Sequence, residues 1–303
     1  MILQVLGRAA LVAACAGSAA GTGSVPRSSL SVRVDGAWRE WWRSNAADSR
    51  LVVSAKTLAN AIQWRRGATG IEWAEADLSG SGEAWRTKLI VARIDPRRVR
   101  LALDTAFAVD AAAWGIDRAD SRAVLAVNAG QFVRTMPWGW VMLDGSRFLA
   151  PSVAPLVTTF TVARDGMARL THASVPDSAG VRWAFQSYPT LLAAGVVPEP
   201  LRRTGCGVDL AHRDARLAIG VDAKGNLLIA LTRFDALGGA LDRVPFGLTT
   251  PEMAGTMAAL GASDAVLLDG GISAQLMLRD STGVAHHWPG TRRVPLGLVV
   301  YPK

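Results

Sequence analysis

Two polar turns hinged on glycine carry the residues of this sequence that are best suited to chemistry. The first, DGGIS, starts at Asp269 directly after the apolar run Ala265–Leu268. A carboxylate such as Asp269, at the end of a buried strand and next to Gly270 and Gly271, lies where the backbone can approach a ligand closely. Ser273 adds a hydroxyl. A tight turn in which the Asp accepts from its own backbone is the alternative explanation.

The second turn, NAGQF, starts at Asn128 directly after the apolar run Ala123–Val127. Asn128 offers both a hydrogen-bond donor and an acceptor, Gly130 allows close approach, and Phe132 supplies an apolar wall. Trp138 follows, and a tryptophan face is a common platform for a sugar ring, although a tryptophan is more often part of the core. We expect the chemistry of the protein to gather at these two turns.

A third candidate segment, DLAHRDAR at residues 209–216, is dense in titratable groups. Arg216 is a candidate anion-binding residue, because a planar guanidinium suits phosphate and carboxylate groups. His212 is a candidate acid or base, since an imidazole has an unperturbed pKa of about 6.5. Asp209 is a candidate second acid/base group. A solvated surface loop explains the other charged residues of the segment at least as well.

β-Strands joined by hairpin turns are predicted to position these segments. Short apolar runs recur along the chain, and turn signals such as Asp95–Arg97 and Asp222–Asn226 separate them. The predicted strands are Leu89–Ile94, Val99–Leu103, Val124–Val127, Trp140–Leu143, Val157–Val162, Leu217–Val221, Leu227–Leu231, Ala265–Leu268, Gln275–Leu278 and Leu296–Val300. Many strands and few helices predict an α+β fold with a mixed, largely antiparallel β-sheet core and flanking helices.

One helix is strongly indicated after Thr249. Thr249 and Glu252 have the spacing of a capping box, and Pro251 fits the first helical turn. Gly261 marks the end of the helix. Because the capping box gives Glu252 an adequate structural role, we do not count it among the catalytic candidates.

The first 24 residues have the form of an export leader. A single Arg precedes a short apolar stretch that ends in small residues, and the stretch is too short for the about 20 residues of a membrane span. Val12–Cys15 resembles a bacterial lipobox, in which Cys15 would carry the lipid. We expect export to the periplasm or cell envelope, with membrane association only through that anchor.

Residues 25–69 are predicted to form a tether and an N-terminal helical segment, and residues 70–303 the main domain. The tether is rich in Ser, Gly and Pro. Apolar residues recur at helical spacing after it, namely Trp38, Trp41, Trp42, Leu58, Ala61 and Ile62.

Composition bounds the class of protein. The chain has 303 residues, of which 50% are hydrophobic and 19% are charged, as expected of a globular protein. The net charge of +8 comes mostly from scattered arginines, without a basic run interleaved with aromatics, so we expect no nucleic-acid partner. Two cysteines cannot supply a framework of several disulfides or a cysteine zinc site.

Four segments occur in a characteristic order: AVNAGQF, FQSYPTLL, ARLAIGVDAKGNLLIAL and GLTTPEMAGTMAALGASDAVLLDGGISAQLML. In this order they resemble the phosphodiester glycosidase family, over roughly Gly70 to the C-terminus. The resemblance implies an enzyme that releases a sugar from a phosphodiester. The positions that match the family pattern are Asn128, Gly130, Phe132, Gln186, Pro189, Arg216, Gly220, Asp269, Gly270, Gly271 and Ser273. Two departures, Gln131 and Ile272 (the latter in place of a third glycine), leave the substrate open.

The matched positions, together with His212, Asp209 and Trp138 from the residue patterns above, are the candidate site residues. We expect Asp269, Asn128, Arg216 and His212 to be catalytic, with Asp269 acting on the sugar side. We expect substrate contacts from the remaining candidates, namely Gly130, Phe132, Gln186, Asp209, Gly270, Gly271, Ser273 and Trp138. The partner is then a carbohydrate or phospho-sugar. No cofactor is required by the sequence, and a divalent metal stays open.

Two other functions stay open from the residues alone. A non-catalytic envelope lipoprotein would use the same Trp and Arg surface to bind glycans without turnover. A metal-dependent phosphodiesterase would use Asp209, Asp222 and Asp269, and would break the P–O bond and not the C–O bond.

Overall fold

The computed structural model describes residues 27–45, 50–108, 111–175 and 177–303. The predicted leader, with Cys15, lies outside the described residues. Two α-helices, α1 at Ala55–Ala61 and α2 at Thr250–Ala259, accompany the strands. The strands are β1 Ser29–Val34, β2 Ala37–Asn45, β3 Arg50–Val53, β4 Arg65–Arg66, β5 Ile71–Gly80, β6 Thr87–Ile94, β7 Val99–Thr105, β8 Phe107–Ala108, β9 Ala111–Ala112, β10 Leu125–Asn128, β11 Phe132–Val133, β12 Met136–Pro137, β13 Val141–Leu143, β14 Ser146–Leu149, β15 Thr158–Ala163, β16 Ala168–His172, β17 Val181–Ser187, β18 Thr190–Leu192, β19 Leu217–Asp222, β20 Leu227–Phe234, β21 Ala262–Leu267, β22 Leu276–Arg279, β23 Ala285–Trp288 and β24 Leu296–Pro302.

Three sheets make up most of the described fold. The largest has ten strands in the order β18-β21-β19-β20-β6-β5-β1-β2-β3, with β4 paired to β5. The second has the order β23-β22-β10-β24-β7 and the third the order β14-β13-β17-β15-β16. The strand pairings in all three are antiparallel. The predicted antiparallel core is therefore confirmed, whereas the helices are fewer than an α+β fold suggests.

The main core lies between the ten-stranded sheet and the second sheet. In β20, Leu227, Ile229 and Leu231 belong to this core, while the alternate residues Leu228 and Ala230 pack into a second cluster with α1 and α2. Both faces of β20 are thus covered, which explains why its sequence is continuously apolar. This central strand and its neighbours give the loops at their ends a rigid base.

The N-terminal helical prediction is wrong over most of its length. Residues of the predicted tether form β1, which pairs with β5, and β2 is a strand. Among the residues of this segment that the structure describes, only Ala55–Ala61 is α-helical. The pairing of β1 with β2 shifts by one residue at Leu30, so Trp41 is an extra residue in β2. This β-bulge lets Trp41 and its neighbour Trp42 both enter the core, where each is 1% exposed. Trp38, Trp41 and Trp42 have the sequence spacing expected of one helix face, although all three lie in strand β2.

Helix α2 confirms the predicted capping box. The Thr249 hydroxyl accepts a hydrogen bond from the Glu252 amide at 3.3 Å, and the Glu252 carboxylate accepts one from the Thr249 amide at 2.8 Å. That carboxylate is fully buried and also accepts hydrogen bonds from both terminal nitrogens of Arg213, at 2.6 and 2.8 Å. The ion pair ties the start of α2 to the 209–216 segment. Neither helix of the described chain is long and apolar enough to cross a bilayer.

The ion pair between Arg213 and Glu252 should stabilise the fold strongly. Arg213→Met leaves a buried carboxylate without its cation, and we expect the free energy of unfolding to fall by about 3 kcal/mol. The matched control is Arg182→Met, because Arg182 pairs with Asp144 at the surface, where we expect a loss below about 1 kcal/mol. Urea unfolding of both variants measures the difference, and equal losses would contradict the assignment.

Candidate active site

The two glycine-hinged turns contact each other directly. The Asn128 side-chain amide donates to the Asp269 carbonyl at 2.8 Å, and the Asp269 amide donates to the Gly130 carbonyl at 3.0 Å. The side-chain oxygen of Asn128 accepts from the Gln275 amide at 3.0 Å. Asn128 is 1% exposed, so its side chain serves the backbone of the Asp269 turn. The two turns therefore meet, and the described hydrogen bonds of the Asn128 side chain go to the backbone of residues 269 and 275.

The contact joins two different sheets. Asn128 ends β10 in the second sheet, whereas Asp269 follows β21 in the ten-stranded sheet. β21 pairs with β19, and the Leu268 amide donates to the Leu217 carbonyl at 2.8 Å just past the last strand pair. The candidate site therefore lies where the end of β21 and the start of β19 meet the end of β10.

Close packing of backbone on backbone explains the two glycines after Asp269. A side chain at Gly270 would place its Cβ atom 2.6 Å from the Ala215 carbonyl oxygen. Gly271 has φ +57° and donates its amide to the same oxygen at 2.7 Å, and its Cβ atom would lie 2.8 Å from a carboxylate oxygen of Asp214. The Gly271 amide, predicted to hold substrate, is thus engaged within the protein. The glycines bring residues 214 and 215 against the turn.

The Asp269 carboxyl lies in an environment that opposes its ionisation. Burial is the main reason that its pKa is raised, and the negative charge of Asp214 adds to the effect. A hydrogen bond from the Ser273 hydroxyl and the positive charge of Arg292 act in the opposite direction. Ser273 thus lies beside Asp269, and its hydroxyl contacts that carboxyl group.

Asp214 is the second carboxyl of the site. Burial raises its pKa, against the opposing charges of Arg216 and His212. Two interacting carboxyl groups with raised pKa values are a frequent arrangement for acid/base catalysis. For Asp214, the sequence pattern is explained at least as well by a solvated surface loop. The signal that was available is its position just before β19, the neighbour of the strand that carries Asp269.

His212 and Arg216 flank Asp214. One imidazole nitrogen of His212 lies 3.6 Å from the Asp214 carboxylate, and the His212 side chain is 59% exposed. Arg216 donates from Nε to the Leu248 carbonyl at 2.8 Å and from Nη2 to the His212 carbonyl at 2.6 Å. Its guanidinium therefore fixes the loop that carries Asp214, while its charge acts on that carboxylate.

Arg292 is a cation that the sequence analysis did not single out. Its guanidinium lies 4.8 Å from the centre of the Phe132 ring, and its charge lowers the pKa of Asp269. The Arg292 amide donates to the Ile272 carbonyl at 3.1 Å, which fixes this segment to the Asp269 turn. Its side chain is exposed and can reach a bound anion. Phe132, predicted as an apolar wall, lies beneath it.

Three predicted contact residues are not confirmed in that role. Gln186 is fully buried, and its amide makes four hydrogen bonds at 2.8 to 3.0 Å, to Trp140, Ser152 and Thr159. No position of that amide is left for a substrate. The Asp209 carboxylate accepts from the amides of residues 211 and 212, so it shapes its own loop. Trp138 does not line the cleft among the described residues.

A cleft of about 540 Å³ opens beside Asp214 and beside Gly271, two residues after Asp269. Its walls combine polar residues with apolar ones, of which Ile272 is 45% and Phe246 is 40% exposed. The residues that line it are Glu83, Ala211, His212, Arg213, Asp214, Pro245, Phe246, Gly271 and Ile272. The side chain of Ile272, where the family pattern leads us to expect glycine, forms part of the wall.

The carboxylates of the hypothetical metal site do not come together. Asp222 lies in the hairpin between β19 and β20, where it accepts from the amides of Lys224 and Asn226 at 2.8 and 2.9 Å. That hairpin is at the opposite end of β19 from the Asp269 turn. In the part of the chain that the structure describes, no group of three or more His, Cys, Asp or Glu residues is arranged to hold a metal ion.

Comparison with known proteins identifies relatives of this architecture. The sequence model of the phosphodiester glycosidase family matches residues 121–301. The structure is similar to the catalytic domain of zebrafish N-acetylglucosamine-1-phosphodiester alpha-N-acetylglucosaminidase, auto-inhibited by its pro-peptide, with a TM-score of 0.57, 16% identity and coverage of 80% of this chain and 89% of that one. A Burkholderia pseudomallei protein whose export is inferred gives a TM-score of 0.53, 14% identity and coverage of 92% and 93%. A hypothetical protein from Synechocystis gives a TM-score of 0.50 and 16% identity, with coverage of 77% of this chain and 62% of that one. No curated protein matches the sequence.

The close packing of Gly271 on Asp214 can be tested through stability. Gly271→Ala should lower the free energy of unfolding by at least about 2 kcal/mol, because the new methyl group collides with the carboxylate. Gly283→Ala is the control, since Gly283 has φ +88° and nothing within 4 Å of an added Cβ atom. We expect it to lose only about 1 kcal/mol. Chemical denaturation measures both, and a control that loses as much would contradict the packing argument.

Proposed function

The chain belongs to the phosphodiester glycosidase family, and from this premise we propose that it is a hydrolase that cleaves the bond between the anomeric carbon of a sugar and a phosphodiester oxygen. The observation that carries the proposal is the pair of carboxyl groups at Asp214 and Asp269. Both have raised pKa values; Asp269 belongs to the turn that matches the family pattern, and Asp214 packs against Gly271 of that turn.

The leaving group explains the cations around this pair. When the C–O bond breaks, its electrons pass to an oxygen of a phosphate monoester, which is already a stable anion. Such a leaving group requires compensation of charge more than a strong proton donor. Arg292 is exposed, and its positive charge acts on Asp269. Arg216 is held by a hydrogen bond to the Leu248 carbonyl, and its positive charge acts on Asp214. We propose that these arginines, and not a divalent ion, balance the phosphate.

The two carboxyl groups act on the sugar half of the substrate. The negative charge of Asp214 raises the pKa of Asp269, and we propose that both carboxyl groups are ionised in the active enzyme. We propose that Asp269 accepts a proton from the attacking water, whose oxygen forms the new bond to the anomeric carbon as the phosphate departs. Asp214 stabilises the positive charge that develops on the ring, and His212 at its side carries protons to and from solvent.

We propose that the enzyme acts on glycans of the cell envelope or outside the cell. The leader-like N-terminus supports this location, as does the structural likeness to a protein whose export is inferred. In this proposal, Cys15 carries a lipid that holds the domain at the membrane surface.

Loss of the proposed base should abolish turnover while leaving the fold intact. Asp269→Asn should reduce the release of sugar from methyl esters of hexose 1-phosphates by about 1,000-fold or more. Asp165→Asn is the control, because Asp165 lies in an exposed turn of the third sheet. Reducing-sugar release and circular dichroism measure activity and folding. A folded Asp269→Asn protein with full activity would overturn the assignment.

The position of bond cleavage separates the proposal from its alternatives. In water labelled with oxygen-18, we expect the label in the released sugar, and we expect activity to persist in excess chelator. Label in the phosphate, together with loss of activity in chelator, would support a metal-dependent phosphodiesterase. Binding of glycans without any product would support a glycan-binding lipoprotein.

The charge of Arg292 should set the acidic limb of the pH profile. A neighbouring cation favours the ionised form of Asp269, so Arg292→Gln should raise the pKa of that carboxyl further and move the acidic limb of kcat/KM to higher pH. Arg293→Gln provides a control at the adjacent position, because Arg293 pairs with Asp117 at the surface. Identical pH profiles for the two variants would exclude this role for Arg292.

A further inference from the structure

A second recess lies beside the cleft and contains two exposed tryptophans. Its volume is about 390 Å³, and it is lined by Arg33, Trp38, Asp77, Leu78, Ser79, Trp85, Arg86, Thr87 and Asp235. Trp38 is 50% and Trp85 is 51% exposed. Water in contact with so much indole surface is unfavourable, and two such side chains in one concave site mark a binding surface.

Charged groups surround the two indoles. Arg33 is the cross-strand partner of Trp38, and the Arg86 guanidinium lies 5.6 Å from the centre of the Trp85 ring. Asp77 and Asp235 add carboxylates, and Lys88 holds the latter at 3.5 Å. Flat apolar faces bordered by donors and acceptors fit a sugar ring, which presents C–H groups on its faces and hydroxyls at its edge.

An aromatic path connects this recess to the cleft. The buried ring of Phe234 lies edge-on to Trp85 at 5.8 Å and to Phe246 at 5.3 Å, between ring centres. Trp85 lines the recess and Phe246 lines the cleft, so one buried ring supports a wall of each. Glu83, two residues before Trp85, also lines the cleft. The recess and the cleft are therefore neighbours that share a supporting side chain.

We propose that the recess is a subsite for a sugar unit of the substrate that lies away from the bond that is cleaved. The proposal rests on the proposed function, because it assumes that the cleft holds a glycan. Trp38 and Trp85 stack on the ring of this sugar, and Arg33 and Asp77 bind its hydroxyls. The natural substrate is then an oligosaccharide or polysaccharide that carries a phosphodiester.

Binding without turnover tests the subsite separately from catalysis. The probes are the tetrasaccharides of N-acetylglucosamine, glucose and mannose, titrated against the full-length Asp269→Asn protein by tryptophan fluorescence and calorimetry. We expect at least one probe to bind and to lose affinity by 10-fold or more when Trp38→Ala or Trp85→Ala is added. Phe148→Ala, which removes an exposed ring on the third sheet, should leave affinity unchanged.

The outcomes separate the subsite from the proposed function. If none of the three tetrasaccharides binds, or if the tryptophan variants bind as tightly as their parent, the subsite is wrong, whatever the turnover of methyl hexose 1-phosphates. If those small diesters are not hydrolysed by the unmodified enzyme while the tryptophan-dependent binding is observed, the proposed function is wrong and the sugar site stands. Trp85→Leu keeps apolar bulk without a ring and should bind as weakly as Trp85→Ala.

Discussion

The candidate site depends on one close contact between backbones, that of Gly270 and Gly271 with the Ala215 carbonyl. Any side chain at Gly270 would displace that carbonyl, and the Gly271 amide hydrogen-bonds to it. Because Asp269 precedes the glycines and Asp214 precedes Ala215, this contact decides that the two carboxyl groups become neighbours. The cleft wall and the proposed division of labour follow from that proximity, whereas burial is the main cause of both raised pKa values.

A buried arginine holds the other side of the same turn. Arg233, at 4% exposure, directs one terminal nitrogen at the carbonyls of Ala274, Trp288 and Pro289, and burial lowers its pKa to about 10. A buried cation whose terminal nitrogen binds three backbone oxygens fixes the segments that meet there. These segments follow the Asp269 turn and precede Arg292. Arg233 thus helps to fix the proposed catalytic carboxyl and the proposed phosphate-binding cation relative to each other.

Local signals in the sequence predicted much of this arrangement. Apolar runs marked the strands, and a strand followed by DGG or NAG marked the turns that the structure joins. What the sequence could not reveal depends on packing between distant segments. Asp214 and Arg292 flank Asp269 only after β19 pairs with β21 and the Ile272 carbonyl binds the Arg292 amide. Trp41 was misjudged because a bulge, set by the pairing of β1 with β2, changes which side chains face inward.

Ile272, which departs from the family pattern, lines the same cleft as the aromatic side chain of Phe246. With glycine at this position, backbone atoms alone would form this part of the cleft wall. The Ile272 side chain is instead 45% exposed and lines the cleft together with Phe246. Phe246 continues through the buried Phe234 to Trp85. The cleft thus has a polar side, formed by residues such as His212 and Asp214, and an apolar side, formed by Pro245, Phe246 and Ile272. Because the apolar side leads away from the carboxyl turn, it supports the proposal that the substrate extends beyond the bond that is cleaved.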